Sequence, residues 1–223
     1  MIFVVVSDPD DEGIVNNPLK PEGFVTGLST MLRQTTHDCL ERFCQTYNAL
    51  RTIYSIHRSN MHPANNAQAR LKVSARRMGI TYKPFTIPQN AAAAKIHEKI
   101  NALPQAGDPL PAGLLMIPDD LVVGHGPQVI QWAQDRGMPT FVQVLEFVTN
   151  AGMPVNALSG YGIQAQVIGR AAATYIDEVV WKGTSPRDLP VGYLTPFEWW
   201  VKGSVATGYG INTGALPPEA QVK

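Results

Sequence analysis

The chain has 223 residues, enough for one large domain or two small lobes, and its 44% hydrophobic content is that of a soluble globular protein with a sizeable core. Lys+Arg and Asp+Glu both number 18, so the totals suggest no basic field for nucleic acid or an anionic membrane surface. No run of about 18 apolar residues occurs, and the first residues lack a charged n-region and an A-x-A-like cleavage site. Direct membrane insertion is therefore not expected, and read literally the chain is cytoplasmic.

Ile2 to Val6 are all apolar and mostly β-branched, the pattern of a central strand covered on both faces, and Ser7-Asp8-Pro9 ends it. Such a strand needs a neighbour on each side, which suggests that sheet partners are missing upstream. Asp8, Asp10, Glu12 and Gly13 mimic the opening of a calcium-binding loop, but its last ligand position holds Leu19 in place of glutamate, which favours a solvated acidic turn. Asn16 to Gly27, with two prolines and two glycines, reads as a connecting segment. From Ser29 to Leu50 apolar residues recur at helical spacing, with Ser29 or Thr30 as cap. Cys39 and Cys44 fall in this helix roughly 140° apart, which disfavours a bridge and suggests core thiols.

Thr52 to Ile56 alternates as a strand and runs into His57-Arg58-Ser59-Asn60, after which Pro63-Ala64-Asn65-Asn66 opens a helix to Met78. The free N–H groups of that helix start suit a carboxylate or another anion. His57 reads as a ligand contact, a metal ligand or an ordinary structural histidine. Thr81 to Ile87 is a strand, Asn90 to Leu103 a helix, and Pro104 to Pro111 a loop. Leu114 to Ile117 is apolar enough for a strand buried on both faces and stops at Pro118-Asp119-Asp120. A helix is expected from Val122 to Arg136, then a strand from Thr140 to Val144. A strand that ends in carboxylates before a helix is where an α/β sheet offers polar groups to a ligand, although Asp119 or Asp120 serves equally well as a helix cap. Strand and helix thus alternate from 29 to 144, the signature of a parallel sheet flanked by helices.

Asn156 to Gly162 reads as a short strand ending in an aromatic turn, and Gln164 to Trp181 as a helix. Gly160-Tyr161-Gly162 and Gly208-Tyr209-Gly210 lack the further glycine of a dinucleotide fingerprint, and the latter lies in a poorly ordered-looking tail. Trp199 and Trp200 read as packing residues. No C-x-x-C pair, H-E-x-x-H or Gly-x-Ser-x-Gly motif occurs, so neither a metal nor a cofactor is expected.

The ordered pieces resemble a known family. Phe3 to Pro9, then Leu19 to Ser29 with Pro21, Gly23, Thr26, Gly27 and Ser29, is similar to the signature of tryptophan/tyrosine-type ABC transporter substrate-binding proteins. The similarity continues at Leu115 to Asp120, Leu158 to Gly162, Thr174 to Asp177, Lys182-Gly183 and Asp188 to Val191. The resemblance implies an α/β, two-lobed type I periplasmic-binding-protein fold, with parallel sheets flanked by helices and the first lobe incomplete. Residues 1–28 would be the remnant of that lobe and a hinge crossover, 29–144 the second lobe, and 145–223 the crossover back with a C-terminal segment. It also implies a chain that binds a small solute between the lobes, delivers it to an ABC permease and performs no chemistry. Family members are periplasmic or lipid-anchored, so the missing export signal and upstream residues suggest a fragment whose first lobe exposes apolar sheet surface. Where members usually place Asn-Pro, this chain has His57-Arg58-Ser59-Asn60.

For a zwitterionic solute such as an aromatic or other amino acid, Ser59, Asn60, Asn65 and Asn66 would donate to the carboxylate. Asp119 or Asp120, with Ser7 and Asp8 from the other lobe, would accept from the ammonium. Tyr161 and Gly162 would close the cavity, with Gln143 beside a hinge segment. The rival readings are a ligand-sensing module of a signalling protein and an α/β enzyme using Asp119, Asp120 and His125.

Overall fold

The computed structural model describes residues 1–59, 62–90, 92–103 and 111–223. The strands are β1 (Ile2–Val6), β2 (Thr26–Ser29), β3 (Thr52–Arg58), β4 (Thr81–Ile87), β5 (Ala112–Leu115), β6 (Thr140–Val142), β7 (Ser159–Gly162), β8 (Gly192–Tyr193), β9 (Glu198–Val201) and β10 (Ala220–Val222). The helices are α1 (Leu32–Thr46), α2 (His62–Arg77), α3 (Ala93–Asn101), α4 (Asp120–Gly124), α5 (Gly126–Gln134), α6 (Glu146–Thr149), α7 (Ala165–Ile176) and α8 (Gly203–Gly208). The chain divides into two compact units: Met1–Thr35 with Ile163–Phe197, and Thr36–Gly162 with Glu198–Lys223.

The first unit is a parallel sheet in the order β1-β2-β8. Its centre is β2, which the expected connecting segment concealed: all four of its residues are buried. Gly27 makes this possible, because a Cβ there would stand 2.1 Å from the Phe3 carbonyl oxygen. Thr26 Oγ1 donates to the Leu189 carbonyl at 2.6 Å, and Tyr175 Oη to the Pro190 carbonyl at 2.7 Å. Helix α7 lays Val167, Ile168, Ala171 and Ala172 against Leu28 and Leu194. Beyond Ile176 the expected continuous helix widens into a π-turn, Asp177–Trp181, that leaves Trp181 79% exposed.

The expectation of exposed apolar sheet surface in the first unit is met at β1 among the described residues. It lies at one end of its sheet, Val4 and Val5 are 39% and 53% exposed, and its register with β2 slips between Phe3 and Val6, where Val5 takes φ 63°. Its β-branched run signals extended backbone, whereas burial depends on what packs on either side.

The second unit is a seven-stranded sheet in the order β10-β9-β7-β6-β5-β3-β4. Strands β3 to β7 are all parallel to their neighbours in that set, and β9 joins β7 antiparallel, with Ser159 opposite Val201. Tyr54, Ile56, Leu114 and Met116 pack with Ile96 and Ile100 of α3 and with Val129 and Ile130 of α5. Residues of opposite parity meet α1 instead: a Cβ on Gly113 would strike the Phe43 ring at 2.4 Å, and Phe43 packs tilted against Phe141 with centroids 5.3 Å apart. At the far end β4 carries Lys83 and Pro84, both exposed.

Two boundaries differ from expectation near the site. The strand before the carboxylates is Ala112–Leu115 and not Leu114 to Ile117: Met116 adds one bond to the Phe141 carbonyl at 2.9 Å, and Pro118 has no donor with which to continue. The single helix expected over Val122 to Arg136 is two, α4 and α5, because Pro127 sits in the first turn of the second and His125 leaves helical geometry at φ −108°. The tail is ordered into β9, α8 and β10, with Trp199 3% exposed and its indole Nε1 donating to Ser159 Oγ at 3.0 Å.

Candidate functional site

In the second unit the carboxyl ends of β3, β5, β6 and β7 lie side by side in the sheet, which sets Arg58-Ser59, Asp119-Asp120, Gln143 and Gly162 along one end of it. Such a row is where open α/β sheets receive ligands.

Asp119 and Arg58 form its fixed part. Asp119 is 1% exposed and caps α4: its Oδ1 accepts from the Leu121 and Val122 N–H groups at 3.0 and 3.3 Å. Oδ2 accepts from the Arg58 N–H at 3.0 Å, and Arg58 Nε donates to both oxygens at 3.1 and 3.2 Å. The carboxylate is thus held by helix and guanidinium together. The remaining guanidinium edge, through Nη2, pairs with Asp120, whose side chain is 75% exposed. One cation between two carboxylates leaves the cluster with a net negative charge, and its exposed member is Asp120. Arg58 stood in the sequence only as a departure from the family pattern; its place at a strand end was readable, its partner was not.

Around this pair the other expected residues have definite partners. Asn65 Nδ2 donates to the Ser59 carbonyl at 2.9 Å, tying the start of α2 to the end of β3. Ser59 is exposed and Asn66 half-buried, while Asn60 lies outside the described residues. Gln143 Nε2 donates to Cys39 Sγ at 3.0 Å, and its buried Oε1 has no partner among the described residues. Burial pushes the Cys39 thiol up to about 12, with the Gln143 hydrogen bond opposing, so it stays protonated. The Tyr161 ring carries the Arg42 guanidinium 3.9 Å from its centroid, and burial raises its phenol above the usual range. Arg42, absent from the sequence expectations, also approaches the Trp199 ring at 5.9 Å and keeps a buried Nε without partner among the described residues. Gly162 is a matter of space: a Cβ there would come within 2.1 Å of the Gln143 carbonyl oxygen.

In the first unit Ser7 and Asp8 follow the carboxyl end of β1, where the Ser7 carbonyl accepts from Ser29 Oγ at 2.8 Å. Asp8 is 6% exposed and its carbonyl accepts from the Glu12 N–H at 3.0 Å, which makes the stretch an acidic turn. Among the described residues no three His, Cys, Asp or Glu side chains gather as a metal would require.

His57 is fully buried and its Nε2 meets Gln68 Oε1 at 3.1 Å. Burial holds its pKa below the ordinary value, with the Gln68 bond and the Asp119 charge opposing. Below about pH 6.5 the unfolded chain therefore takes up a proton that the folded chain refuses, and stability present above that pH is lost as pH falls. Urea denaturation between pH 7.5 and 5 is expected to show this loss, at up to about 1.4 kcal/mol per pH unit, and His57→Gln is expected to reduce the slope. Identical slopes for the two proteins would show that His57 is not the neutral group.

The family profile described as ABC transporter substrate binding protein matches residues 1–214. Comparison with curated proteins gives no match. Among solved structures, an ABC domain from Streptococcus pneumonia in complex with L-Trp is 21% identical, with a TM-score of 0.77 over 99% of this chain and 72% of that one. A conserved domain protein from Vibrio cholerae is 20% identical, with a TM-score of 0.79 over 99% of this chain and 70% of that one. The ligand-free, open structure of a substrate binding protein with adhesive properties from Clostridium difficile is 20% identical, with a TM-score of 0.66 over 98% and 69%. These likenesses, extending to further sugar and solute binding proteins, show the type I periplasmic-binding-protein fold. The family binds small solutes, works with membrane permeases, is typically extracytoplasmic and does not catalyse reactions. No helix of the described residues is long and apolar enough to cross a membrane. On the match over residues 1–214, the chain belongs to the ABC transporter substrate-binding protein family.

Proposed function

We propose that this chain is the solute-capturing component of an ABC importer and that its ligand is an amino acid, with an aromatic side chain the first candidate. The observation that carries the reading is the Arg58–Asp119–Asp120 cluster at adjacent strand ends, beside the Gln143 acceptor that has no partner among the described residues. Asp120 takes the ammonium group, since Asp119 is engaged by its cap and by Arg58. Gln143 Oε1 is a second acceptor, Ser59, Asn65 and Asn66 are the candidates to meet the carboxylate, and Tyr161 and Gly162 bound the side-chain end. The L-Trp of the Streptococcus pneumonia structure supports the choice of solute class.

Isothermal titration with the proteinogenic amino acids, and with sugars as the contrasting class, tests it. At least one aromatic amino acid is expected to bind, and Asp120→Asn is expected to weaken it about 10- to 100-fold, the value of a hydrogen bond to a charged group. Binding of sugars with no response to amino acids would overturn the solute class. An amino acid that binds equally to wild type and Asp120→Asn would overturn the site.

A further inference from the structure

Equal totals of acid and base hide a segregation of charge. Between Glu41 and Glu98 there is no Asp or Glu, yet nine of the 18 Lys and Arg residues fall there. Four of them, Arg70, Lys72, Arg76 and Arg77, are exposed on α2, spaced so that they share its outward side. The opposite side is buried through Ala64, Ala67, Leu71 and Ala75, each no more than 1% exposed. Among the described residues none of the four cations forms an ion pair, and Asp38 and Glu41 of α1 do not reach them. Val73 stands among them at 52% exposure, and a shallow depression of about 490 Å³ lined by Lys72, Val73, Arg76 and Arg77 opens on the same face.

We propose that this face of α2 is a docking surface for a bilayer containing anionic phospholipid, with headgroup phosphates among the cations and Val73 against the base of the headgroup layer. The face is broad and carries no aromatic side chain of the kind that anchors a protein partner. Unpaired cations on a convex helix suit a diffuse plane of negative charge, each contributing separately. An extracytoplasmic binding protein works beside such a plane, and peripheral attachment is compatible with the absence of a spanning helix among the described residues.

Cosedimentation with vesicles of phosphatidylglycerol and phosphatidylcholine, against vesicles of phosphatidylcholine alone, tests the proposal. The whole chain is expected to partition onto the anionic vesicles at low salt and to be released at about 0.5 M salt. Changing Arg70, Lys72, Arg76 and Arg77 together to Gln is expected to reduce partitioning by about fivefold per cation. The same change at Lys20, Arg170, Arg187 and Lys223, exposed elsewhere, is expected to leave it within twofold of wild type. Equal partitioning onto both vesicles, no partitioning onto either, or equal losses from the two quadruple variants would each overturn it. All of these exchanges are on the surface, and an unchanged thermal midpoint verifies that each variant is folded.

Discussion

Asp119→Ala is expected to destabilise the second unit by about 3–5 kcal/mol, the range for removing one partner of a buried ion pair. The side chain does three jobs: it caps α4, accepts the Arg58 amide and neutralises a guanidinium that is only 14% exposed. Without it, two N–H groups at the start of α4 lose their acceptor, and Arg58 is left with Asp120, a pairing in which solvent screens the charge. Asp119→Asn is expected to lie between alanine and wild type, because the amide oxygen preserves a cap while the charge is lost. Urea denaturation read by tryptophan fluorescence measures both. A loss below about 1 kcal/mol for the alanine variant would mean that Arg58 finds full compensation elsewhere, and Asp119 would then return to the ligand.

The second large effect is expected at Gly162. A methyl group there has nowhere to go: its nearest neighbour is the Gln143 carbonyl oxygen at 2.1 Å, which belongs to backbone and not to a side chain free to turn away. Gly162→Ala must therefore part the ends of β6 and β7, and the expected loss is about 1–3 kcal/mol, as for other overpacked interiors. Since Gln143 moves with its own carbonyl, weaker solute binding is expected together with the lower stability. Thermal denaturation and titration on one preparation separate the effects: a stable variant with weakened binding would make Gly162 a ligand residue, whereas both losses together make it a spacer. A variant indistinguishable from wild type in both would refute the steric role.

The alternation of strands and helices over the second unit was legible because burial imposes a period on each element. Leu40 and Phe43 recur on helical spacing, and Thr52 to Ile56 alternates as a strand does. The row of polar strand ends was legible for the same reason, since Pro118-Asp119-Asp120 breaks an apolar run. What was illegible was which contacts those ends make. Arg58 and Asp119 are 61 residues apart, and nothing local announces that one satisfies the other. Arg42 reaches Tyr161 only because α1 crosses β7, so the aromatic ring that stood out in the sequence came without its partner. Thr26–Ser29 and the tail strands β9 and β10 are three or four residues long, too short for a period, and the glycines and prolines around them read as loop. The exposed valines of β1 were legible for a different reason: its apolar run calls for a neighbour on each side, and among the described residues only β2 lies beside it.

Pro84 gives the large sheet a directional finish. A chain laid alongside β4 meets a residue that donates no hydrogen bond, next to the ammonium of Lys83, so the ladder has no unbroken row to extend. β1, with valines bared at the end of its own sheet, is interrupted differently, by the register slip between Phe3 and Val6 and the left-handed Val5. Strand addition is thus opposed in two ways, by proline and lysine at β4 and by a bent backbone at β1.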